Sequence, residues 1–101
     1  MDAIFDCLAE PNRRRILDLL RLGERPAGDL VAALNISQPG VSKHLRVLRE
    51  AGLVTSAVNG QRRVYALCPK RLAVVDDWLA PYRRFWSERL NDLEAHLNQE
   101  Q

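Results

Sequence analysis

The sequence predicts one small domain that is mainly α-helical, with a single β-hairpin between its helices. Over most of the 101 residues, apolar side chains recur at steps of three or four, which is the spacing of a helix with one buried face. Residues 53–68 depart from that spacing and show two β-rich stretches around an Asn-Gly pair. A chain of this length is near the lower end of what buries a core alone, so pairing with a second copy would stabilise it.

The first two helices are predicted over residues 2–9 and from Pro11 to about Leu22. Pro11 suits a first turn because the N–H that proline lacks has no helical partner there, and Gly23 ends the helix. Each helix has an apolar side that needs covering. The two sets are Ile4, Phe5 and Leu8, then Ile16, Leu17, Leu19 and Leu20.

Residues 29–53 are expected to form two short helices separated by a tight turn, a helix-turn-helix. Each helix has its own apolar stripe: Leu30, Val31 and Leu34 in the first, and Val41, Leu45 and Leu48 in the second. Between the stripes, Asn35 tolerates the left-handed backbone that often ends a helix, and Ser37 is a favourable N-cap. Pro39 then occupies the first turn of the second helix. The turn is therefore short and well specified.

The second of these helices has a polar side that carries positive charge and no acid. Its members are Gln38, Ser42, Lys43, Arg46 and Arg49. From residue 37 to 63 the chain has five Lys/Arg against one acid, whereas from residue 76 onward it has three Arg against six acids. This separation of sign favours a nucleic-acid surface on the middle third over a uniformly solvated one. For Arg46, an i,i+4 pair with Glu50 is the alternative role.

A β-hairpin is predicted over residues 53–68, with strands from Leu53 to Val58 and from Arg62 to Cys68. Asn59-Gly60 supplies the turn, because both residues accept the positive φ that short hairpins need. A hairpin directly after a helix-turn-helix is a wing. Arg62 and Arg63 stand beside its tip, where they could reach phosphates or a minor groove; alternatively, they keep an exposed strand edge soluble.

Residues 69–99 are expected to be helical and too apolar for a solvated tail. This segment presents more apolar surface than a small domain can cover, so we expect it to pair with a second subunit together with the first helix. Pro81 interrupts the pattern and predicts either a kink or two separate helices. The expected dimerisation residues are Ile4, Phe5, Leu8, Leu79, Tyr82, Trp86, Leu90 and Leu93.

Three consecutive arginines, Arg13 to Arg15, open the second helix, where the helix dipole disfavours cations. A negatively charged group is needed to offset the positive charge of these arginines at the start of the helix. The candidates are Glu10, Asp18 and a DNA phosphate, and we expect an intramolecular partner for at least one of the three arginines.

The remaining motifs point away from an enzyme. His44 and His96 have no nucleophile or carboxylate partner suggested by spacing, and no Gly-rich phosphate loop or metal-ligand cluster is apparent, so no cofactor is expected. No apolar run near 18 residues and no signal peptide are present, which predicts a cytoplasmic protein. Cys7 and Cys68 lie far apart in sequence, which argues against a disulfide-stapled secreted fold.

The order of these elements resembles the ArsR/SmtB family of small dimeric winged-helix repressors in bacteria. The resemblance covers nearly the whole chain through LAEPNRRRILDLL, GDLVAALNISQPGVSKHLRVLREAGLV and a wing that ends RRVYAL. It implies a dimer that binds an operator, often in its own promoter, and represses transcription. It also implies that Gln38, Ser42, Lys43 and His44 face the bases or backbone of DNA. The candidate DNA-binding residues are thus Gln38, Pro39, Ser42, Lys43, His44, Arg46, Arg62 and Arg63.

The metal sites known in that family do not carry over to this sequence. Where thiolate sensors have Cys-x-Cys, this chain has Pro26 and Gly28, which offer no ligand atoms. On the last helix, His96 is the one histidine, with Asp92 one turn before it, which falls short of a tetrahedral site. The chain instead resembles a metal-independent branch whose members end in a WLAPYRRFW-like stretch, and the sequence does not identify an inducer.

We therefore expect a homodimeric repressor on an inverted-repeat operator, with the whole of residues 1–101 as its single domain. Gln38 and Ser42 would contact base edges, while Lys43, Arg46 and the wing arginines would bind phosphate. Two alternatives remain. One is a winged-helix module used only for protein contacts, and the other is a thiol-based redox-sensing repressor that uses Cys7 and Cys68.

Overall fold

The computed structural model describes residues 2–99; Met1, Glu100 and Gln101 lie outside the described part. Its helices are α1 (Asp2–Ala9), α2 (Pro11–Arg21), α3 (Ala27–Leu34), α4 (Gln38–Glu50) and α5 (Ala73–Gln99). Its strands are β1 (Arg25–Pro26), β2 (Val54–Asn59) and β3 (Arg62–Leu67), and Pro69–Leu72 forms a 3-10 turn before α5. The predicted order of helices, turn, hairpin and C-terminal helix is confirmed, and the architecture is a winged helix-turn-helix.

The turn between α3 and α4 has the predicted chemistry. Asn35 has a left-handed backbone with φ 55°, and its N–H donates to the Val31 carbonyl. Ser37 is the N-cap of α4, where its Oγ accepts a hydrogen bond from the Gly40 N–H at 3.1 Å. These local contacts end one helix and start the next within three residues, which fixes the direction in which α4 leaves the turn.

One hydrophobic core holds the first four helices and the base of the hairpin together. The side chains less than 2% exposed come from α1, α2, α3, α4 and the residue before β2: Cys7, Ile16, Leu30, Val41, Leu45, Leu48 and Leu53. Because α4 contributes three of these seven, its apolar stripe is fully used in holding it to the body. The opposite side of α4 is therefore presented to solvent.

The hairpin turn lies one residue later than the sequence predicts. Asn59 pairs with Arg62, so the two central turn residues are Gly60 and Gln61. Gly60 has φ +68°, while Gln61 is not among the positive-φ residues of the described chain. Positive φ at the first central position alone is the pattern of a type II′ turn, which needs glycine there. The prediction that Asn59-Gly60 forms the turn is thus wrong.

A third strand joins the hairpin that the sequence predicts. β1 pairs antiparallel with β3 through Arg25 opposite Tyr65 and Pro26 opposite Val64, which gives the order β1-β3-β2. Proline cannot donate to a ladder, so a two-residue strand ending in Pro26 carries almost no strand signal. This strand attaches the wing to the segment that leads into α3.

α5 runs as one helix of 27 residues with Pro81 inside it. The alternative of two separate helices is therefore wrong. Aromatic packing continues across the proline, since the Trp78 and Tyr82 rings are 5.1 Å apart between centroids. At the start of the helix, Phe5 of α1 meets Trp78 edge-on at 5.5 Å. These contacts offset part of the roughly 3 kcal/mol that an internal proline costs a helix.

The arginines that open α2 bind the end of α1. Arg13 Nε donates to the Cys7 carbonyl at 2.7 Å, and an Arg14 Nη donates to the Leu8 carbonyl at 2.6 Å. Such terminal carbonyls lack helical partners and carry the negative end of the α1 dipole. The expected intramolecular partner is confirmed, but it is the backbone of α1 and not Asp18 or the Glu10 carboxylate. Glu10 instead caps α2 by accepting from the Arg13 N–H at 3.0 Å.

Candidate nucleic-acid interface

The exposed side of α4 forms the centre of the candidate interface. Its apolar stripe is turned inward, with Val41 and Leu48 both 0% exposed. The residues predicted for DNA contact on this side are exposed: Gln38, Pro39, Ser42, Lys43 and Arg46. The N-cap contact of Ser37 holds the first turn of α4 in place, and Gln38 and Pro39 lie in that first turn, directly after the α3–α4 turn.

Arg46 does not form the alternative pair with Glu50. Among residues 2–99, the two acid–base pairs within 4.0 Å join Arg83 to Asp76 and His44 to Glu10. The guanidinium of Arg46 is therefore available to an external anion.

His44 occupies a different position from the other predicted α4 contacts. Its side chain is 17% exposed, and Nδ1 lies 3.8 Å from Glu10 Oε2, which is too long for a hydrogen bond. This Nδ1 is buried and has no hydrogen-bond partner in the described part of the chain. The structure thus places this ring nitrogen between α4 and the start of α2, away from the exposed side of α4.

The wing carries its two arginines close to the hairpin turn, and both are exposed. Arg62 pairs with the last residue of β2, and Arg63 is one step further from the turn, opposite Val58. An Arg63 Nη donates to Ser56 Oγ at 3.1 Å, so the Arg63 side chain is directed back along β2. The Arg62 side chain forms no hydrogen bond or ion pair within residues 2–99. The two arginines therefore present cations to different parts of the wing.

From Trp78 onward, α5 presents an apolar surface that the protomer leaves uncovered. Of the residues predicted for dimerisation, Tyr82 and Trp86 are about half exposed at 47% and 52%, and Leu90 is 64% exposed. Three residues absent from that prediction belong to the same surface although their helical spacing signals it: Trp78, Phe85 and Leu97. We call Trp78, Tyr82, Phe85, Trp86, Leu90, Leu93 and Leu97 the α5 apolar face.

The predicted dimerisation residues of α1 and of the start of α5 are less exposed to solvent than the α5 apolar face. Ile4 is 4% exposed and belongs to the core of its own protomer, so it has no surface to offer a partner. Phe5, Leu8 and Leu79 are half-buried: the Phe5 ring meets Trp78 of the α5 apolar face, whereas Leu8 packs against the core. The overall dimensions reflect this arrangement: the radius of gyration is 18.5 Å, against about 13 Å for a compact chain of about 100 residues, because α5 projects from the body.

The cysteines and acidic residues form no apparent chemical centre in the described part of the chain. Cys7 is 1% exposed, and burial raises the pKa of its thiol while nearby Arg13 acts in the opposite direction. Cys68 is half-buried, and both thiols are free. Within residues 2–99 no three His, Cys, Asp or Glu side chains group together as metal ligands would, and no helix there has the length and apolar content of a membrane span.

A basic helix on a helix-turn-helix, followed by a wing with exposed arginines, is the arrangement found in winged helix-turn-helix transcriptional regulators. The comparison with known proteins specifies the family. The family model described as bacterial regulatory protein, arsR family, matches residues 10–56, from the N-cap of α2 into β2. The chain belongs to the ArsR family.

Two curated relatives and one solved structure illustrate the similarity. The chain is 37% identical over 79 residues to the transcriptional repressor SdpR of Bacillus subtilis, covering 78% of this chain and 88% of SdpR. It is 37% identical over 99 residues to the HTH-type transcriptional regulator Rv2034 of Mycobacterium tuberculosis, covering 98% and 90%. The homodimeric winged helix-turn-helix DNA-binding domain of Mb0332 from Mycobacterium bovis superimposes with a TM-score of 0.66 at 28% identity, covering 88% and 80%.

Proposed function

We propose that this protein is a homodimeric repressor that binds an inverted-repeat operator, including one in its own promoter. The observation that carries the proposal is the exposed side of α4 with Gln38, Ser42, Lys43, Arg46 and Arg49, set beside a wing with two exposed arginines. Gln38 and Ser42 would contact base edges in the major groove, Gln38 through its amide fork. Lys43, Arg46 and the wing arginines would contribute sequence-independent phosphate contacts. Action on chromosomal DNA would place the protein in the cytoplasm.

The α5 apolar face supports the homodimer. Full aromatic side chains bury 150–250 Å² each, and scaling such areas by the observed exposures gives on the order of 700 Å² of apolar surface per protomer. A standard interface buries roughly 800 Å² per partner. Two copies paired along α5, with Phe5 and Leu8 of α1 at the margin, would cover this surface, and the solved relative Mb0332 is itself homodimeric.

Two-fold symmetry would set the form of the operator. A dimer carries two α4 helices, and reading one face of the duplex requires them to be about 34 Å apart, one helical turn. The half-sites would then form an imperfect inverted repeat. For the regulatory signal, we propose control that does not use the family's thiolate metal site, because Pro26 and Gly28 carry no ligand atoms at its position.

Selection of bound DNA from a fragmented genome, followed by footprinting, tests this function. We expect recovered fragments to share an inverted repeat with half-site centres about 10 base pairs apart, and binding to weaken steeply as salt rises. Recovery of no common sequence, together with salt-insensitive retention, would instead indicate a winged-helix module for protein contacts.

A further inference from the structure

An apolar pocket opens on the side of the body where α1, α2, β3 and the 3-10 turn before α5 meet. Its volume is about 300 Å³, which is at the lower end of the range for small-molecule sites. Each of the four elements contributes one leucine to its wall: Leu8, Leu17, Leu67 and Leu72. We call this the leucine pocket.

The leucine pocket has a charged rim, which α2 alone supplies. Arg14, Asp18 and Arg21 line it at helical spacings of four and three residues, and all three are exposed. One Nη of Arg14 is already engaged, because it donates to the Leu8 and Ala9 carbonyls at 2.6 and 3.2 Å. In the part of the chain that the structure describes, the side chains of Asp18 and Arg21 form no hydrogen bond or ion pair. Two arginines against one aspartate leave the rim with a net positive charge.

The position of the leucine pocket separates it from the candidate nucleic-acid interface. Its lining residues lie neither on α4 nor at the wing tip. Leu67 is the last residue of β3, and Leu72 is the last residue of the turn that leads into α5. An occupant of the pocket would therefore contact the base of the wing and the segment that carries the α5 apolar face, without blocking the exposed side of α4.

Apolar walls under a cationic rim suit a small amphipathic anion. A hydrocarbon chain gains free energy when leucines remove it from water, and a guanidinium matches the two oxygens of a carboxylate with paired N–H donors. We propose that the leucine pocket binds a medium-chain fatty carboxylate, with its tail among the four leucines and its carboxylate on Arg21 and the unengaged nitrogens of Arg14. Asp18 lowers the affinity of the site, because it places a like charge beside the bound carboxylate. This site goes beyond the proposed function and does not depend on DNA binding.

Calorimetric titration of the 101-residue chain with short fatty carboxylates tests the chemistry of the site. Octanoate should bind once per protomer. Hexanoate should bind about 16-fold more weakly, because each buried CH₂ contributes about fourfold in affinity. Octylamine has a similar tail and the opposite charge, so it should bind about tenfold more weakly than octanoate. If octylamine binds as tightly as octanoate, the pocket does not select an anion and the proposal is wrong.

Substitutions at the rim and in the wall identify the binding residues. Arg21→Ala should weaken octanoate binding about tenfold, because it removes a charged hydrogen-bond donor. Arg15→Ala is the matched control: Arg15 is also an exposed arginine of α2, but it bonds Asn12 at 3.2 Å and lies outside the pocket. Asp18→Asn should strengthen binding about threefold. Leu72→Phe should weaken it about tenfold, because the larger ring takes up room that the tail needs.

Methyl NMR spectra locate the bound tail and distinguish the leucine pocket from the α5 apolar face. Octanoate should shift the methyl signals of the four pocket leucines and leave those of Leu93 and Leu97 unmoved. If Leu93 and Leu97 shift instead, or if Arg21→Ala binds octanoate as tightly as Arg15→Ala, the inference is wrong. That comparison also decides the matter if Leu72→Phe fails to fold. Wild type that binds no octanoate would contradict the inference too, and none of these results bears on DNA binding.

Discussion

Replacing Trp86 on the α5 apolar face should convert the protein into monomers. Trp86 is 52% exposed, and about 130 Å² of a roughly 250 Å² side chain is therefore available to a partner. At about 25 cal/mol per Å², covering that area contributes about 3 kcal/mol per protomer, or about 6 kcal/mol per symmetric dimer. Since about 1.4 kcal/mol is tenfold in affinity, Trp86→Ala should weaken dimerisation by up to about four orders of magnitude. Trp86→Glu adds the cost of burying a charge.

Sedimentation equilibrium measures this directly. Wild type should be dimeric at micromolar concentration, and Trp86→Glu should be monomeric with an unchanged helical circular dichroism spectrum. Leu22→Glu is the matched control, because Leu22 is 69% exposed but follows α2, away from α5. It should remain dimeric. If Trp86→Glu is as dimeric as Leu22→Glu, the α5 apolar face is not the interface, and the dimerisation free energy estimated above for Trp86 is wrong.

Three further outcomes follow from the described contacts. Gln38→Ala should cost about 1–3 kcal/mol at particular operator base pairs while Arg63→Ala weakens all sequences alike; an equal loss by Gln38→Ala on specific and random duplexes would contradict the base-contact role. Ser37→Ala removes the acceptor for the Gly40 N–H and should lower the free energy of unfolding in urea by about 1 kcal/mol, against no change for Ser42→Ala, whose hydroxyl caps nothing. Because burial raises the pKa of Cys7 and so lowers its thiolate fraction, Cys68 should be alkylated first at pH 8, and faster labelling of Cys7 would contradict this order.

Local signals explain why the helix-turn-helix is predictable from the sequence. Asn35, Ser37 and Pro39 each act within a few residues of their own position, by tolerating a left-handed backbone, capping or fitting a first turn. The exposed side of α4 follows from the same locality, since the apolar stripe decides which side is buried. Such signals can be interpreted from the sequence without knowledge of the rest of the fold.

The position of the hairpin turn is a feature that local sequence signals do not determine. Moving the turn by one residue shifts the pairing of β2 and β3 by two, which keeps every side chain on its original face of the sheet. The alternation of apolar and polar residues therefore cannot distinguish the two turns. Contacts at the base of the hairpin fix the pairing register of β2 and β3. There Val54 pairs with Leu67 over the core, and the Cys68 N–H donates to the Leu53 carbonyl at 2.8 Å.

The remaining differences share one physical cause, which is contact between segments that lie apart in the chain. The strand ending at Pro26 exists because β3 lies beside it, and His44 turns inward because the start of α2 lies beneath α4. Ile4 is removed from the expected interface by the packing of the core around it.

By itself, the sequence determined the element order, the caps, the basic side of α4 and the apolar character of α5, since each of these depends on side-chain type at fixed spacing. The tertiary structure alone decided which of these residues remain accessible. Burial in the core withdrew Ile4, and the packing of α4 beside Glu10 at the start of α2 turned His44 inward. Accessibility depends on what packs above each residue, and that information lies in distant segments of the chain.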